Sequence, residues 1–279
     1  MSYIQALILS FIEGLTEFLP ISSTGHLIIT SHFMGIAQDG FVKSFNIIIQ
    51  FGAILSVLLL YRKRFYWNFS FYQKLLVAFL PAAVIGLLIK NKIDALLDSV
   101  TVVAWSLIIG GVILVISDYF FKEPNDTINS TPGTPLGSEN KNNSKNQIQS
   151  AKFSIDSFPL SRCFILGLLQ CVAFIPGASR AAATILAGLV LGLDRKSATE
   201  FSFFLAVPTL AGATFIKSLK VLHEFQNPDN LQLILFGSLM SFVFAAAAIL
   251  FFIQIVSRHG FKFFGIYRIL LGVIILYVA

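Results

Sequence analysis

The chain reads as an all-α integral membrane protein, polytopic, with two inverted-topology repeats. Each repeat is a broken re-entrant helix pair followed by three transmembrane helices. Three observations predict that class. Apolar residues make up 56% of the chain and charged ones 12%, with 29 Phe and a mean hydropathy of +0.81; a soluble domain carries about 25% charged residues. Long apolar runs recur at 41–61, 75–89, 100–116, 201–215, 231–256 and 263–279, several near the roughly 20 residues that cross hydrocarbon as a helix. The element order of 1–121 also returns in 156–279. Barrel strands are short and alternate in polarity, so a barrel is excluded.

Tyr3 to Leu19 is expected as a helix that Pro20 breaks. Ser22, Ser23 and Thr24 then cap a short second helix over 27–33, too short to cross. Such a break is tolerated at membrane depth only when buried in protein or lining a cavity. Crossings follow at 41–61, at 71–90 with Pro81 inside as a kink, and at 100–121, where Gly110-Gly111 allows close helix approach. Lys90 to Asp98 is expected as a polar turn. Residues 122–155 are rich in Asn, Ser, Pro, Gly and Lys and are expected as a disordered linker between the first membrane repeat, 1–121, and the second, 156–279. Together the two repeats make one membrane domain.

The second half parallels the first. With a one-residue gap, Gln170 falls on Glu13 and Pro176 on Pro20, and Leu271-Gly272 matches Ile109-Gly110 near the end of each half. Three crossings per half invert the second repeat, the plan that places binding at the midplane. The +6 formal charge is then a topology signal: Arg62-Lys63-Arg64, Lys74, the linker, Arg195-Lys196 and Arg258 to Lys262 collect on the cytoplasmic side. Lys43, Lys90, Lys92, Lys217 and Lys220 stay outside, as do both termini. No basic face or stripe points to nucleic acid. The amino end has no basic head of the signal-peptide kind. Cys163 and Cys171 lie about 12 Å apart along a helix, too far to bridge.

Chemistry concentrates at the two breaks. Glu13 and Glu17, four residues apart, place two carboxylates on one helix face. They suit a divalent-cation bridge, an acid–base pair or the orientation of His26. His26 follows Ser23 by three residues, within reach of a hydroxyl–imidazole contact that activates a nucleophile, and the imidazole itself is a second candidate nucleophile. Zinc is disfavoured, since no His-Glu-x-x-His and no neighbouring His ligands occur. At the second break Arg180 offers a planar fork for phosphate oxygens. Ser179 precedes it, Thr184 lies one turn on, and a helix start supplies free N–H groups. An Arg180 ion pair with Glu13 or Glu17 that joins the halves is the structural alternative. Carboxylates on one wall, arginine on the other and access from lipid describe a phosphohydrolase of a lipid phosphate.

Glu13-Gly-Leu-Thr-Glu17-Phe-Leu-Pro-Ile-Ser-Ser23-Thr-Gly-His26 resembles the first signature of the bacterial undecaprenyl-diphosphate phosphatase family. Pro176-Gly-Ala-Ser179-Arg180-Ala-Ala-Ala-Thr184 resembles the second, and the likeness spans all but the linker. It implies hydrolysis of undecaprenyl diphosphate to undecaprenyl phosphate and inorganic phosphate, recycling the peptidoglycan carrier and conferring bacitracin resistance. It implies catalytic roles for Glu13, Glu17, Ser23 (the nucleophile) and His26, and phosphate binding by Arg180, Ser179 and Thr184. A divalent cation, Mg²⁺ or Ca²⁺, held by Glu13 and Glu17 is implied too, with no organic cofactor. The place is the bacterial inner membrane with the site open to the periplasmic or outer side. The partners are the polyprenyl diphosphate and membrane lipids, with a homodimer left open. Ala181 and Ala182 depart from the family's serine and glycine: the methyl at 182 is expected to crowd the turn, and the missing hydroxyl at 181 to lose a phosphate bond. The competing function is a transporter or flippase of a lipid phosphate or other anion, since broken helices and a buried Arg/Glu pair also serve anion transport.

Overall fold

The computed structural model describes residues 1–66, 68–89, 99–121 and 153–278. The expected linker, apart from 153–155, and the expected polar turn at 90–98 lie outside these residues. The described chain is all-helical, with a single isolated bridge between Phe153 and Leu193. Ten helices run in order: α1 Tyr3–Thr16, α2 Ser23–Phe33, α3 Gly40–Leu60, α4 Phe69–Leu88, α5 Val100–Phe120, α6 Leu160–Gln170, α7 Arg180–Val190, α8 Arg195–Ser218, α9 Pro228–His259 and α10 Lys262–Val278. Short 3₁₀ turns over Cys171–Phe174 and Leu219–Gln226 complete them.

Five of these helices, α3, α4, α5, α8 and α9, are long and apolar enough to cross a membrane. Their outward faces confirm the solvent. On α5, Trp105, Ile109, Val112, Ile113 and Ile116 are all exposed, a strip that would aggregate in water and suits lipid. The protein is a multi-pass membrane protein.

Helix ends follow local chemistry. α1 stops at Thr16, a turn earlier than expected, because the Pro20 ring would clash with the carbonyl four residues back. Asp39, Asn68, Ser99 and Asp194 each accept a backbone N–H at the start of α3, α4, α5 and α8, as N-caps do. The Asp194 cap lets α8 begin at Arg195, six residues before the apolar run that marked it. Pro81 lies within α4, which continues through it to Leu88.

Small residues set the closest approaches. α10 packs along α5, and a Cβ at Gly111 would meet the Gly265 carbonyl. The expected Gly110-Gly111 contact is therefore formed, with Gly265 and Gly272 as its counterparts on α10. α1 lies along α9 and α6 along α4, while α3 faces α8. The largest apolar core, including Phe18, Phe71, Phe203, Phe204 and Phe252, joins residues of both halves. Cys163 and Cys171 are both free thiols, as their spacing requires.

Candidate functional site where the two breaks meet

The chain breaks twice, and both breaks end in the same device. Ser22 and Ser179 adopt φ of 71° and 70°, the only positive values among the described residues that are not glycine. Each then caps the helix that follows, accepting from Gly25 N at 3.4 Å and from Ala182 N at 3.2 Å. A side chain in this left-handed region is held there at a cost of about 1–2 kcal/mol. The spacing from Glu13 to Ser22 equals that from Gln170 to Ser179, so the caps align without a gap and set Pro20 against Gly177. Gly177 itself has φ +89°, and a Cβ there would lie 2.6 Å from the Val103 carbonyl. The glycine is required twice over.

Arg180, first residue of α7, reaches across to the other break. Its Nη2 donates to Glu17 Oε1 at 2.8 Å, and its Nη1 to the Ser202 carbonyl at 3.0 Å. Both members of the pair are nearly buried. The second oxygen of Glu17 accepts from the Ser23 hydroxyl at 2.6 Å. One carboxylate thus links the arginine of one break to the first helical residue of the other. The Thr184 hydroxyl shares a 2.6 Å bond with Ser202 and also bonds the Arg180 carbonyl. It braces the arginine through Ser202 and does not face Glu17 directly. The Ser179 hydroxyl is occupied as the cap.

The expected Ser23–His26 contact gives way to other partners. Ser23 turns back to Glu17, whereas His26 bonds the Ser22 carbonyl through Nδ1 at 2.7 Å and the Tyr267 hydroxyl through Nε2 at 2.6 Å. A carbonyl only accepts, so Nδ1 carries the proton and Nε2 accepts from the tyrosine. The two rings also stack, with 7° between their planes. Both ring nitrogens are therefore engaged.

Glu13, one turn before Glu17, is fully buried, and neither carboxylate oxygen has a hydrogen-bond partner. Such oxygens are what a hard cation takes, completing its shell with substrate phosphates and water. Among the described residues no cluster of three or more His, Cys, Asp or Glu occurs, so the two glutamates would share a cation with its ligand and not cage it alone. Gln170, at the matching position of the second half, is likewise buried with both amide atoms unpartnered. Ala181 and Ala182 lie in the large apolar core beside an intact Ser179 cap. The methyl at 182 coexists with the formed cap, and Ala181 is buried in the same core.

Sequence reasoning missed the residue that holds the breaks together. Arg268, in the middle of α10, is completely buried. Its Nη1 donates to the Pro20 and Ala178 carbonyls, its Nη2 to Gly177 and Ser106, and its Nε to Leu107, over 3.0–3.4 Å. All five donors meet backbone carbonyls, from both breaks and from α5. The signal was a lone arginine inside an apolar helix, which at membrane depth marks a working residue. Tyr267 beside it had no comparable mark, since its partner lies far away in sequence.

The family model described as bacitracin resistance protein BacA matches residues 6–274. The chain belongs to the BacA family. It is 51% identical over 276 residues to the undecaprenyl-diphosphatase of Bdellovibrio bacteriovorus, covering 99% of this chain and 95% of that one. With the undecaprenyl-diphosphatase of Flavobacterium psychrophilum it shares 46% over 280 residues, covering 100% and 96%. With that of Persephonella marina it shares 42% over 276 residues, covering 99% and 98%. The BacA match takes in both breaks, α5 and the Tyr267-Arg268 pair of α10.

Proposed function

We propose that the chain hydrolyses undecaprenyl diphosphate to undecaprenyl phosphate and inorganic phosphate at the junction of its two breaks. This activity recycles the lipid carrier for peptidoglycan synthesis and confers bacitracin resistance. The observation that carries the reading is the Arg180–Glu17–Ser23 chain: a phosphate clamp, a carboxylate and a hydroxyl joined by bonds of 2.8 and 2.6 Å. The relatives named undecaprenyl-diphosphatase over nearly the whole chain support the same substrate.

The diphosphate draws the Arg180 fork off Glu17 and onto its own oxygens, as bidentate arginine–phosphate pairing favours. The first N–H groups of α7, ahead of the capped Ala182, add the helix-terminus contribution. Glu17 then accepts the Ser23 proton as Oγ bonds the terminal phosphorus in line. The bridging P–O bond breaks and undecaprenyl phosphate departs. Water next attacks phosphorus, the Oγ–P bond breaks and the proton returns to Oγ. His26, held at both nitrogens, orients Ser22 and the start of α2. Ser179 and Thr184 keep Arg180 placed. A divalent cation, Mg²⁺ or Ca²⁺, would be held by Glu13 and Glu17 and would neutralise diphosphate charge.

The matched caps and the reciprocal packing of α1 on α9 and α6 on α4 support two inverted repeats with re-entrant pairs. On the charge pattern, the end bearing Lys43 and Lys217 faces outside the inner membrane and the site opens that way. Transport alone would not need a hydroxyl aimed at a carboxylate, which favours hydrolysis over a flippase. The test is phosphate release from a C55 diphosphate by purified protein with Mg²⁺ or Ca²⁺. Release is expected, with Arg180→Ala lowering it about 10³-fold; no release from the unaltered protein overturns the reading.

A further inference from the structure

A cavity of about 640 Å³ lies beside the site, between α2, α3, α10 and the ends of α5 and α8. Thr24, next to Ser23, lines its deep end, and Lys43 and Lys217 line the end where α3 begins and α8 stops. One wall is apolar, carried by Leu271, Ile274 and Ile275 of α10. The wall from α3 is mixed, with Val42 and Ile47 beside its polar residues.

Lys43, Asn46 and Gln50 line the cavity from α3. They follow one another by three and four residues, so they form one stripe along a helix face. The stripe runs about 10 Å into a membrane-crossing helix. Polar groups at that depth are costly unless they meet water or a ligand. Asn46 has its carbonyl oxygen buried without a hydrogen-bond partner, while its amide reaches Ser31 at 3.4 Å. Among the described residues lining the cavity, two are lysines and none is an aspartate or glutamate. A low-dielectric cleft with cations and no acid concentrates anions.

We infer that this cavity is a second phosphate site, through which inorganic phosphate passes between the Ser23–Arg180 junction and the outer face, with Lys43 and Lys217 binding the anion at the mouth. The inference rests on the proposed hydrolysis for its direction of traffic, but the anion site stands on the cavity alone. A phosphate group is the shared chemistry; a lipid headgroup is the other source. The polar stripe favours the free anion, since a headgroup anchored by its tail has no need of a wet path 10 Å long.

The test uses the full chain in phosphatidylcholine nanodiscs, with a membrane-impermeant amine reagent and mass spectrometry of each lysine. At inorganic phosphate near twice its dissociation constant, labelling of Lys43 and Lys217 falls about threefold, because only a third of sites stay free. Sodium chloride of equal ionic strength leaves it unchanged, and labelling of Lys63, exposed at the other end, does not respond to either. Equal slowing by chloride, or none by phosphate, overturns the site. A second arm replaces inorganic phosphate with phosphatidic acid in the disc. Protection in that arm alone assigns the cavity to headgroups and overturns the passage. In the Lys43→Gln/Lys217→Gln variant, inhibition of hydrolysis by added phosphate weakens about fivefold or more, as loss of two cations near an anion implies; unchanged inhibition contradicts the passage. Protection without hydrolysis leaves the site standing and removes the enzymatic reading. Hydrolysis without protection does the reverse.

Discussion

Ser23 and Glu17 share a 2.6 Å hydrogen bond across the break between α1 and α2, while the other oxygen of the same carboxylate holds Arg180 from the opposite break. Neither half of the chain supplies all three groups. The acid and hydroxyl come from one, the guanidinium from the other. Because Glu17 is the shared element, Glu17→Gln is expected to cost more than the loss of either neighbour's single bond. It leaves Arg180 buried opposite a neutral amide and Ser23 without an anionic acceptor. Phosphate release should drop about 10³-fold or more, and steady-state kinetics of the purified variant measures it.

Glu13 presents both oxygens unpartnered at full burial. If it holds a cation together with Glu17, Glu13→Gln removes one hard anionic ligand and weakens the cation more than the lipid. The Mg²⁺ concentration for half-maximal activity should rise at least about tenfold, the factor that 1.4 kcal/mol represents. A chelator should abolish release, with recovery on adding the cation back. An unchanged Mg²⁺ dependence would separate Glu13 from the metal.

The Ser22 carbonyl keeps the His26 proton on Nδ1, and the Tyr267 hydroxyl donates to the Nε2 left free. Tyr267→Phe keeps the stacked ring and deletes that bond alone. Turnover should fall roughly tenfold, a typical cost of one buried hydrogen bond. The pH–rate profile should move as well, since the freed Nε2 no longer has its donor. A merely packing role would leave the profile unchanged.

How much of this was legible in advance differs from residue to residue. Pro20 announced the first break, because no helix carries proline through its interior without loss, and the acids, Ser23, His26 and Arg180 stood out as polar groups in hydrocarbon. The three-residue spacing of Ser23 and His26 suggested a mutual contact, yet spacing says only who is within reach. Glu17 offers Ser23 a charged acceptor, and Tyr267, far away in sequence, offers His26 a donor. Ser22 and Ser179 showed no sign of positive φ, since serine rarely adopts it; the neighbouring packing imposes it. Arg268 was visible as a charge in an apolar helix, but its carbonyl partners exist only once the breaks and α5 converge.

That convergence gives a stability prediction. Arg268→Met leaves the Pro20, Gly177 and Ala178 carbonyls of the two breaks without their side-chain donor, at about 1–3 kcal/mol for an unsatisfied group. Thermal unfolding in detergent should show a large loss or no folded protein. Arg268→Lys keeps the charge but lacks the planar fork, so it should fold with an intermediate loss.

Two glycines make an internal control. Gly35 has φ +68° with nothing within 4 Å of a Cβ, whereas Gly177 has φ +89° and the Val103 carbonyl at 2.6 Å. Gly35→Ala should cost about 1–2 kcal/mol from backbone conformation alone. Gly177→Ala should cost clearly more and lower activity too, because it pushes the second break away from α5. Equal losses in the same unfolding assay would deny that the break is pinned there.

The central claim is that Ser23 attacks phosphorus while Glu17 takes its proton. Rapid acid quench of the protein turning over a C55 diphosphate labelled in its terminal phosphate, followed by peptide mass spectrometry, tests it directly. Phosphoserine at position 23 is expected, absent in Ser23→Ala and in Glu17→Gln. Phosphate on His26, or turnover with no adduct on any residue, would contradict it.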